Sequence, residues 1–183
     1  MKILREIMEW IIVVVVSIAI YLLISTYLIA PFTVKGHSMD YTFADNDKVF
    51  VNKFSKNYER GDEVVFHANE TDDYIKRIIG VPGDTIEYRN DVLYVNGQKV
   101  EEPYLAQKIK EAKESGTAPF TPDFNIEYLS STKSKTVPEG MYFVMGDNRQ
   151  HSTDSRVFGF VKKEAMIGKV SLRYYPFSSF KFF

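Results

Sequence analysis

The 183-residue sequence contains no cysteine, which excludes a disulfide framework, a thiolate zinc site and a cysteine nucleophile. It also lacks the HExxH zinc motif, the Walker loop and the GxGxxG dinucleotide fingerprint, so we predict neither a metal site nor a cofactor. Neither sign of charge forms a long run, because 23 Lys and Arg residues are interspersed with 24 Asp and Glu residues. The sequence therefore gives no indication of a nucleic-acid partner.

Charge is also absent from a long segment near the N-terminus, Trp10 to Val34. The twenty residues from Ile11 to Ala30 are mostly apolar, and a helix of that length spans about 30 Å, the thickness of the hydrocarbon core of a bilayer. Bulky residues and Pro31 occupy the end of the segment, where a cleaved signal peptide would have a small-x-small site. We therefore predict a retained transmembrane anchor over residues 10–30, with membrane lipid as a partner.

The charges that flank this segment do not decide its orientation. Lys2 and Arg5 precede it but are offset by Glu6 and Glu9, and further lysines follow it. A large folded domain after an anchor crosses the membrane largely regardless of such charges. We expect residues 1–9 in the cytoplasm and a domain of residues 31–183 outside it.

Beyond the anchor, the sequence is rich in strand and turn signals. The predicted strands are Lys48–Asn52, Glu63–His67, Tyr74–Ile79, Thr85–Tyr88, Val92–Val95, Gln98–Val100, Gly140–Val144 and Gly168–Tyr175. Residues 103–137 differ in composition and predict an inserted lobe or long loop, with a short polar helix over Leu105–Ser115. The predicted fold class is mostly β: an antiparallel β domain with a small inserted lobe, anchored by one N-terminal transmembrane helix.

Three stretches carry residues suited to chemistry, and the first is Phe32–Met39. If this stretch is extended, side-chain alternation places Ser38 on the same side as Val34 and Gly36. The glycine leaves the backbone open to a second chain, as a serine that attacks a peptide carbonyl requires. An ordinary turn serine is the alternative, and this stretch alone does not exclude it.

Lys76 is the central residue of the second stretch. On the predicted strand Tyr74–Ile79 it shares a face with Tyr74 and Ile78, so we expect it to be partly desolvated. Desolvation disfavours the ammonium form and lowers the pKa of a lysine, and a neutral lysine is a competent general base for a serine hydroxyl. The alternative is an edge-strand lysine whose ammonium reaches water.

The third stretch, Gly146–Arg156, is dense in charges and hydroxyl groups. Asp154 and Arg156 are spaced to pair with each other or to bracket a turn. The composition suits a buried polar network that holds a lysine in place, or alternatively a solvated loop.

Together and in this order, the three stretches resemble the type I signal peptidases, membrane-bound serine–lysine proteases that remove signal peptides from exported proteins. The motifs that carry the resemblance are Ser38-Met39 with Thr42, Lys76–Asp84, and Gly146–Arg149 with Ser152, Asp154, Ser155 and Arg156. The resemblance covers nearly the whole chain, and the single N-terminal anchor and small insertion are similar to the short form found in Gram-positive bacteria. It implies a catalytic domain outside the cytoplasmic membrane and signal peptides of secretory preproteins as substrates.

The resemblance also implies a role for each matching residue. Ser38 would attack the scissile carbonyl, and Lys76 would take its proton and deliver it to the leaving amine. Ser152 would orient Lys76, while the pairs Asp154 with Arg156 and Asp147 with Arg77 would brace the site. The backbone N–H of Ser38 would bind the oxyanion. Gly36 stands where some members have a second, hydroxyl donor, so part of the oxyanion hole would be either missing or supplied by backbone. By alignment, small pockets for the substrate residues at −1 and −3 would be lined by Phe32, Val34, Met39, Phe43, Tyr74 and Ile75.

Two positions depart from the family pattern, since Tyr41 replaces the usual proline and Phe43 the usual leucine. Proline fixes φ just after the nucleophile, so tyrosine could loosen Ser38 or reshape the pocket near Phe43. The alternative function is therefore a weakly active or non-cleaving paralogue that binds preproteins, in which Tyr41→Pro would restore cleavage. A third hypothesis pairs Ser38 with His37 or His151 and an aspartate, although His37 is expected to point away from Ser38.

Overall fold

In this computed structural model, which describes residues 2–183, a long N-terminal helix leads into a domain of two antiparallel sheets. The helices are α1 (Lys2–Tyr27), α2 (Ala106–Glu114) and α3 (Ser155–Phe158). The strands are β1 (Ile29–Thr33), β2 (Lys48–Asn52), β3 (Glu63–His67), β4 (Asp73–Gly80), β5 (Ile86–Arg89), β6 (Val92–Val95), β7 (Gln98–Val100), β8 (Phe124–Asn125), β9 (Met141–Met145), β10 (Val161–Lys162), β11 (Met166–Tyr175) and β12 (Lys181–Phe182). The predicted mostly β fold class, with one apolar N-terminal helix, is confirmed.

Helix α1 is long and apolar enough to cross a membrane, and none of its span Ile3–Tyr27 is buried inside the protein. A helix that is hydrophobic all round requires an apolar environment, and a bilayer supplies one. The helix ends at Tyr27 rather than at residue 30, because Ile29–Thr33 leave it to pair with β2 as strand β1. The helix thus runs directly into the sheet, with only Leu28 between the two elements.

The larger sheet has the order β1-β2-β11-β3-β4-β9-β10, with β12 added beside β11. Strand β4 lies in its interior, paired with β3 on one side and β9 on the other. Such a strand has both edges hydrogen-bonded, so its side chains are held at fixed positions above and below the sheet. This is the strand that carries Lys76 and Arg77.

The smaller sheet has the order β7-β6-β5-β8 and packs against the larger one. Its core residues are Ile79, Ile86, Tyr88, Leu93, Val95, Ile126, Val137, Phe143 and Met145, drawn from both sheets and the loops beside them. Residues 103–137 contain α2 and also β8, which pairs with β5. The segment is therefore built into the smaller sheet, and its own small core comprises Leu105, Ala112 and Phe120.

The loop between β1 and β2 is fastened to a separate part of the core. Val34, Met39 and Phe43 project from this loop and are at most 1% exposed, packed with residues of the larger sheet such as Ile75. Burying each such side chain contributes about 1.5–3 kcal/mol, so the loop has little freedom to move. Ser38 lies between two of these buried anchors.

Candidate active site

Ser38 sits on a turn and not on an extended strand. Strand β1 ends at Thr33, and Gly36 adopts a positive φ of +79°, a conformation that glycine accepts readily. The condition that Phe32–Met39 is extended is therefore not met beyond Val34, and the alternation described for an extended chain does not reach Ser38. The turn is closed by Met39, whose carbonyl accepts hydrogen bonds from the N–H groups of Thr42 at 3.0 Å and Phe43 at 2.8 Å.

Lys76 reaches the serine across the sheet. Its Nζ lies 2.6 Å from Ser38 Oγ and 3.1 Å from the carbonyl oxygen of Ile75, and it lies 5.2 Å from the centre of the Tyr74 ring. Lys76 is 3% exposed on an interior strand, which rules out the alternative of an edge-strand lysine in water. Burial lowers the pKa of Lys76 to about 8, while the charges of Asp154 and Asp147 oppose this shift.

The third motif clamps the turn that carries the serine. Asn148 donates its backbone N–H to the Ser38 carbonyl at 3.1 Å, and its side-chain amide donates to the His37 carbonyl at 3.0 Å. Gly146 lies so close that a Cβ added to it would overlap both Ser152 Oγ and the Ser38 carbonyl oxygen. A glycine is therefore required there, and sequence reasoning assigned no role to Asn148 although it quoted the motif that contains it.

Ser152 does not make its predicted contact. Its Oγ is buried, and in residues 2–183 it has no hydrogen-bond partner. The predicted hydrogen bond from Ser152 to Lys76 is absent, because Lys76 Nζ is directed to Ser38 and Ile75 while the Ser152 side chain packs on Gly146. A buried hydroxyl without a partner is costly, so Ser152 Oγ keeps an unused donor beside Gly146 of the third motif.

Both predicted bracing pairs are formed, each with two parallel hydrogen bonds. Arg77 donates to Asp147 at 2.9 and 2.7 Å, and Arg156 donates to Asp154 at 2.8 and 2.8 Å. Asp154 also accepts the backbone N–H of Gly146 at 3.0 Å. Planar pairs of this kind fix orientation as well as distance, so they hold the third motif rigidly beside Lys76.

The backbone N–H groups of Ser38 and Gly36, the two positions expected at the oxyanion, differ in availability. In the part of the chain that the structure describes, no protein acceptor pairs with the N–H of Ser38. The N–H of Gly36 instead donates to the Asp45 carboxylate at 2.7 Å and is not free. The N–H of Gly36 is therefore not available as a second oxyanion donor, whereas the N–H of Ser38 is available.

A cavity of about 230 Å³ opens at the pair. It is lined by Phe32, Lys35, Gly36, His37, Ser38, Asp73, Tyr74, Ile75, Lys76, His151 and Thr153. Three of the six predicted substrate-binding residues, Phe32, Tyr74 and Ile75, line it. The other three, Val34, Met39 and Phe43, do not, because they are buried in the core beneath the turn.

Neither histidine near the serine forms a triad with it. His37 is exposed and its Nδ1 lies 3.1 Å from the carboxylate of Asp40, and His151 lines the rim of the cavity. No histidine nitrogen hydrogen-bonds to Ser38 anywhere in the described range 2–183. The geometry therefore offers no support for a serine–histidine mechanism.

Arg149 is a buried arginine behind the site, and no role for it was predicted from the sequence. Arg149, 1% exposed, donates to the Glu102 carboxylate at 2.5 Å, to the Tyr88 hydroxyl at 2.6 Å and to the Gly146 carbonyl at 3.0 Å. Burial raises the pKa of Tyr88 well above its usual value, so the hydroxyl stays protonated and donates to Glu102 at 2.7 Å. These contacts join both sheets and the inserted segment to the third motif. The only sequence feature that pointed to Arg149 was its position within the third motif, because its partners lie far away in the sequence.

Tyr41 follows the nucleophile turn with a φ of +90°. Proline requires a φ near −65°, so the backbone at position 41 does not suit a proline in this conformation. A gain of cleavage in Tyr41→Pro stays an expectation of the paralogue hypothesis, and this conformation favours the opposite result. The ring of Tyr41 instead packs on Phe120, with ring centres 5.9 Å apart, and lies 4.6 Å from Lys108 Nζ. Tyr41 thus faces the inserted segment, and the Ser38–Lys76 contact is intact beside it.

We expect Tyr41→Pro to lower the free energy of unfolding by at least about 1 kcal/mol and to reduce activity, because the ring forces the turn away from its positive φ. Urea unfolding of the purified chain measures the first effect. Tyr41→Gly is the matched control, because glycine accepts positive φ and loses only the aromatic contacts. A more stable or more active Tyr41→Pro variant would contradict the conformation described here.

The fold and the site together define a class of protein: a β-rich domain on an apolar helix, in which a serine hydroxyl meets a buried lysine amine. A profile of the signal peptidase family, peptidase S26, matches residues 7–175. The chain belongs to this family, and the resemblance predicted from the three motifs is confirmed.

The sequences of two relatives match this chain over nearly its full length, and a solved structure matches most of its domain. Signal peptidase IB of Staphylococcus aureus is 45% identical over 97% of this chain and 94% of its own, and signal peptidase I of Bacillus caldolyticus is 43% identical over 91% of each. The crystal structure of a signal peptidase I from Enterococcus faecalis is 46% identical and superposes with a TM-score of 0.59, covering 63% of this chain and 97% of that one. The similarity therefore extends through all three motifs and the β domain.

Proposed function

We propose that this chain is a membrane-anchored serine endopeptidase that removes signal peptides from exported preproteins, with Ser38 as nucleophile and Lys76 as general base. The observation that carries the proposal is the 2.6 Å contact between Ser38 Oγ and the buried Lys76 Nζ. The relatives named signal peptidases support the substrate class.

In the first half of the reaction, Lys76 Nζ accepts the proton of Ser38 as Oγ attacks the scissile carbonyl carbon. The negative charge that develops on the carbonyl oxygen is bound by the free N–H of Ser38. The tetrahedral intermediate then breaks its C–N bond, and Lys76 returns the proton to the leaving amine of the mature protein. The signal peptide remains as an ester on Ser38.

In the second half, water enters the place of the amine and gives a proton to Lys76 as it attacks the ester. We assign the orientation of this water or of the Lys76 amine to the hydroxyl of Ser152, because it is unpartnered and lies beside Gly146 of the third motif. Collapse of the second intermediate releases the signal peptide and returns the proton to Ser38. The bracing pairs Asp154–Arg156 and Asp147–Arg77 keep the third motif beside these groups throughout.

The same proposal places residues 1–9 in the cytoplasm, the anchor across the membrane and residues 31–183 outside the cytoplasm. A protease that cuts signal peptides must act where the preprotein emerges from the bilayer. Strand β1 follows helix α1 after a single residue, and this short connection supports a position of Ser38 close to the membrane surface. Labelling of single cysteines placed in the cysteine-free chain tests this orientation.

The cavity predicts small residues at the −1 and −3 positions of the substrate. A substrate strand beside Phe32 places both side chains on one face, against the rings of Phe32 and Tyr74 and the Ile75 side chain. We expect cleavage directly after Ala-x-Ala, and a loss of about 10²-fold or more in kcat/KM when the −1 alanine is replaced by phenylalanine, which the site must exclude by overlap.

Mass spectrometry of the cleaved preprotein gives the position of the cut. A preprotein with phenylalanine at −2 is the matched control, since that side chain points away from the pockets. Equal cleavage of the −1 alanine and −1 phenylalanine substrates would contradict the proposed pockets.

The pKa of Lys76 sets a pH dependence. Only the free amine accepts the serine proton, and burial lowers the pKa of Lys76 to about 8. We therefore expect kcat/KM to reach a plateau above a pH of about 9 and to fall about tenfold per pH unit well below 8. Rates measured from pH 6 to 10 test this. A flat profile would exclude a lysine base, and His151→Ala should leave the midpoint unchanged.

A further inference from the structure

A second cavity lies where the membrane helix meets the domain, away from the Ser38 cleft. Its volume is about 500 Å³, and it is lined by Thr26, Tyr27, Leu28, Lys53, Phe54 and Lys56. The first three residues are the end of α1 and its connection to β1, and the others follow strand β2. The cavity therefore lies at the depth at which the apolar helix ends.

Lys53 ties the domain to the helix. Its Nζ donates to the carbonyl of Thr26 at 2.7 Å, and its backbone N–H donates to the carbonyl of Leu28 at 2.8 Å. The last turn of α1 has no basic residue of its own, so this ammonium supplies the positive charge that the carbonyl end of a helix favours. Lys53 is thereby held at the mouth of the cavity.

The positive charge at this cavity is not neutralised by the protein. In residues 2–183, neither Lys53 nor Lys56 forms an ion pair with a carboxylate, and no acidic residue lines the cavity. Lys56 Nζ makes only long contacts, 3.5 and 3.4 Å, with the carbonyls of Met166 and Ile167. Two ammonium groups thus retain N–H donors for an anion.

Aromatic side chains flank these lysines. Phe54 is 77% exposed and Tyr27 is 69% exposed, although both are large and apolar. Aromatic rings next to lysines at the end of a membrane helix are typical of the interface, where rings lie at the headgroup level and ammonium groups reach lipid phosphates. The lining of this cavity thus combines exposed rings with ammonium groups, the composition that the membrane interface favours.

We propose that this cavity binds the phosphate of an anionic phospholipid in the leaflet next to the domain, with Lys53 and Lys56 as donors and with Tyr27 and Phe54 against the acyl chains. The lipid would hold the domain at a fixed height and tilt on the bilayer, and so would hold Ser38 at a fixed height. The proposal rests on α1 spanning the membrane, but not on the Ser38–Lys76 chemistry.

The chain has a single tryptophan, Trp10, which allows a site-specific probe. The full chain carrying Trp10→Phe and Phe54→Trp is reconstituted in phosphatidylcholine bilayers with a small fraction of lipid brominated on its acyl chains. The brominated lipid is either phosphatidylglycerol or phosphatidylcholine, and bromine quenches only a tryptophan that it contacts.

We expect brominated phosphatidylglycerol to be preferred at residue 54 by about fivefold for each lysine that engages it. Adding Lys53→Gln and Lys56→Gln should abolish the preference, whereas Lys110→Gln with Lys113→Gln, which removes the same charge from α2, should retain it. Free inorganic phosphate should not compete, because the acyl chains contribute to binding.

Equal quenching by the two lipids in the probe chain, no quenching by either, or a preference that survives loss of both Lys53 and Lys56 would each overturn the proposal. The lipid comparison in the unaltered lysine background does not depend on how well the lysine variants fold. No substrate is present in this measurement, so its failure would leave the proposed peptidase activity untouched. Loss of cleavage activity would likewise leave the lipid site untouched.

Discussion

Replacing Lys76 with alanine is expected to lower the rate of preprotein cleavage by about 10²–10⁴-fold, the usual contribution of a positioned general base. Lys76 Nζ lies 2.6 Å from Ser38 Oγ, and in the described residues 2–183 no other base lies within hydrogen-bond distance of that hydroxyl. Without the amine, the serine must lose its proton to water. Ser38→Ala should cost at least as much, because it removes the nucleophile itself.

The cleavage rates of these variants can be compared only if the variants remain folded. Lys76→Met keeps an apolar side chain of similar length in the buried position and should be as inactive as Lys76→Ala. Lys99→Ala is the matched control, since Lys99 is an exposed strand lysine paired with Glu101. Single-turnover cleavage of a preprotein measures the chemical step directly. Retention of more than about a tenth of the rate in Lys76→Met would remove Lys76 from the mechanism.

The second large effect is on stability and concerns Arg149. Replacing it with methionine is expected to lower the free energy of unfolding by about 3–5 kcal/mol, because Glu102 would be left as a buried carboxylate without its partner. The Arg149 side chain is fully buried and that of Glu102 is 6% exposed, so water cannot compensate. Loss of the contact with the Gly146 carbonyl should also loosen the third motif and reduce cleavage.

Urea unfolding in detergent micelles measures this loss. Arg89→Met is the matched control, because Arg89 pairs with Glu87 on an exposed surface, and such pairs contribute about 0.2–1 kcal/mol. Adding Glu102→Gln to Arg149→Met should recover part of the stability, since it removes the uncompensated charge. Equal stability losses in Arg149→Met and Arg89→Met would contradict the buried network.

The strands illustrate what local pattern can predict. The predicted strands Lys48–Asn52, Glu63–His67, Val92–Val95 and Gln98–Val100 match β2, β3, β6 and β7 at both ends. Alternating apolar residues bounded by turn signals are a local property, so these elements are readable along the chain. Strands β8, β10 and β12 have two residues each and were missed, because so short a segment carries no periodic pattern and forms a strand only where a partner strand offers its edge.

The geometry of the active site, unlike these strands, could not be predicted from local pattern. Ser38 and Lys76 were predicted as a pair by resemblance, but the turn at Gly36 and the burial of Val34, Met39 and Phe43 were not, because both depend on contacts far away in the sequence. The same holds for Arg149, whose partners Tyr88 and Glu102 come from other elements. Motif composition identified the third stretch but could not say which of its hydroxyls would lack a partner.

By itself, the sequence determined the apolar N-terminal helix, the β-rich class and the three motifs, because these follow from composition and from local periodicity. Only the tertiary structure decided that helix α1 ends at Tyr27 and is followed by strand β1, and that Ser38 lies on a turn. It also decided that the Lys76 amine is buried and lies within hydrogen-bond distance of the Ser38 hydroxyl. The physical reason is that the interior strand β4 and the buried side chains of the β1–β2 loop fix the positions of Lys76 and Ser38 through long-range packing. No local sequence pattern encodes such packing.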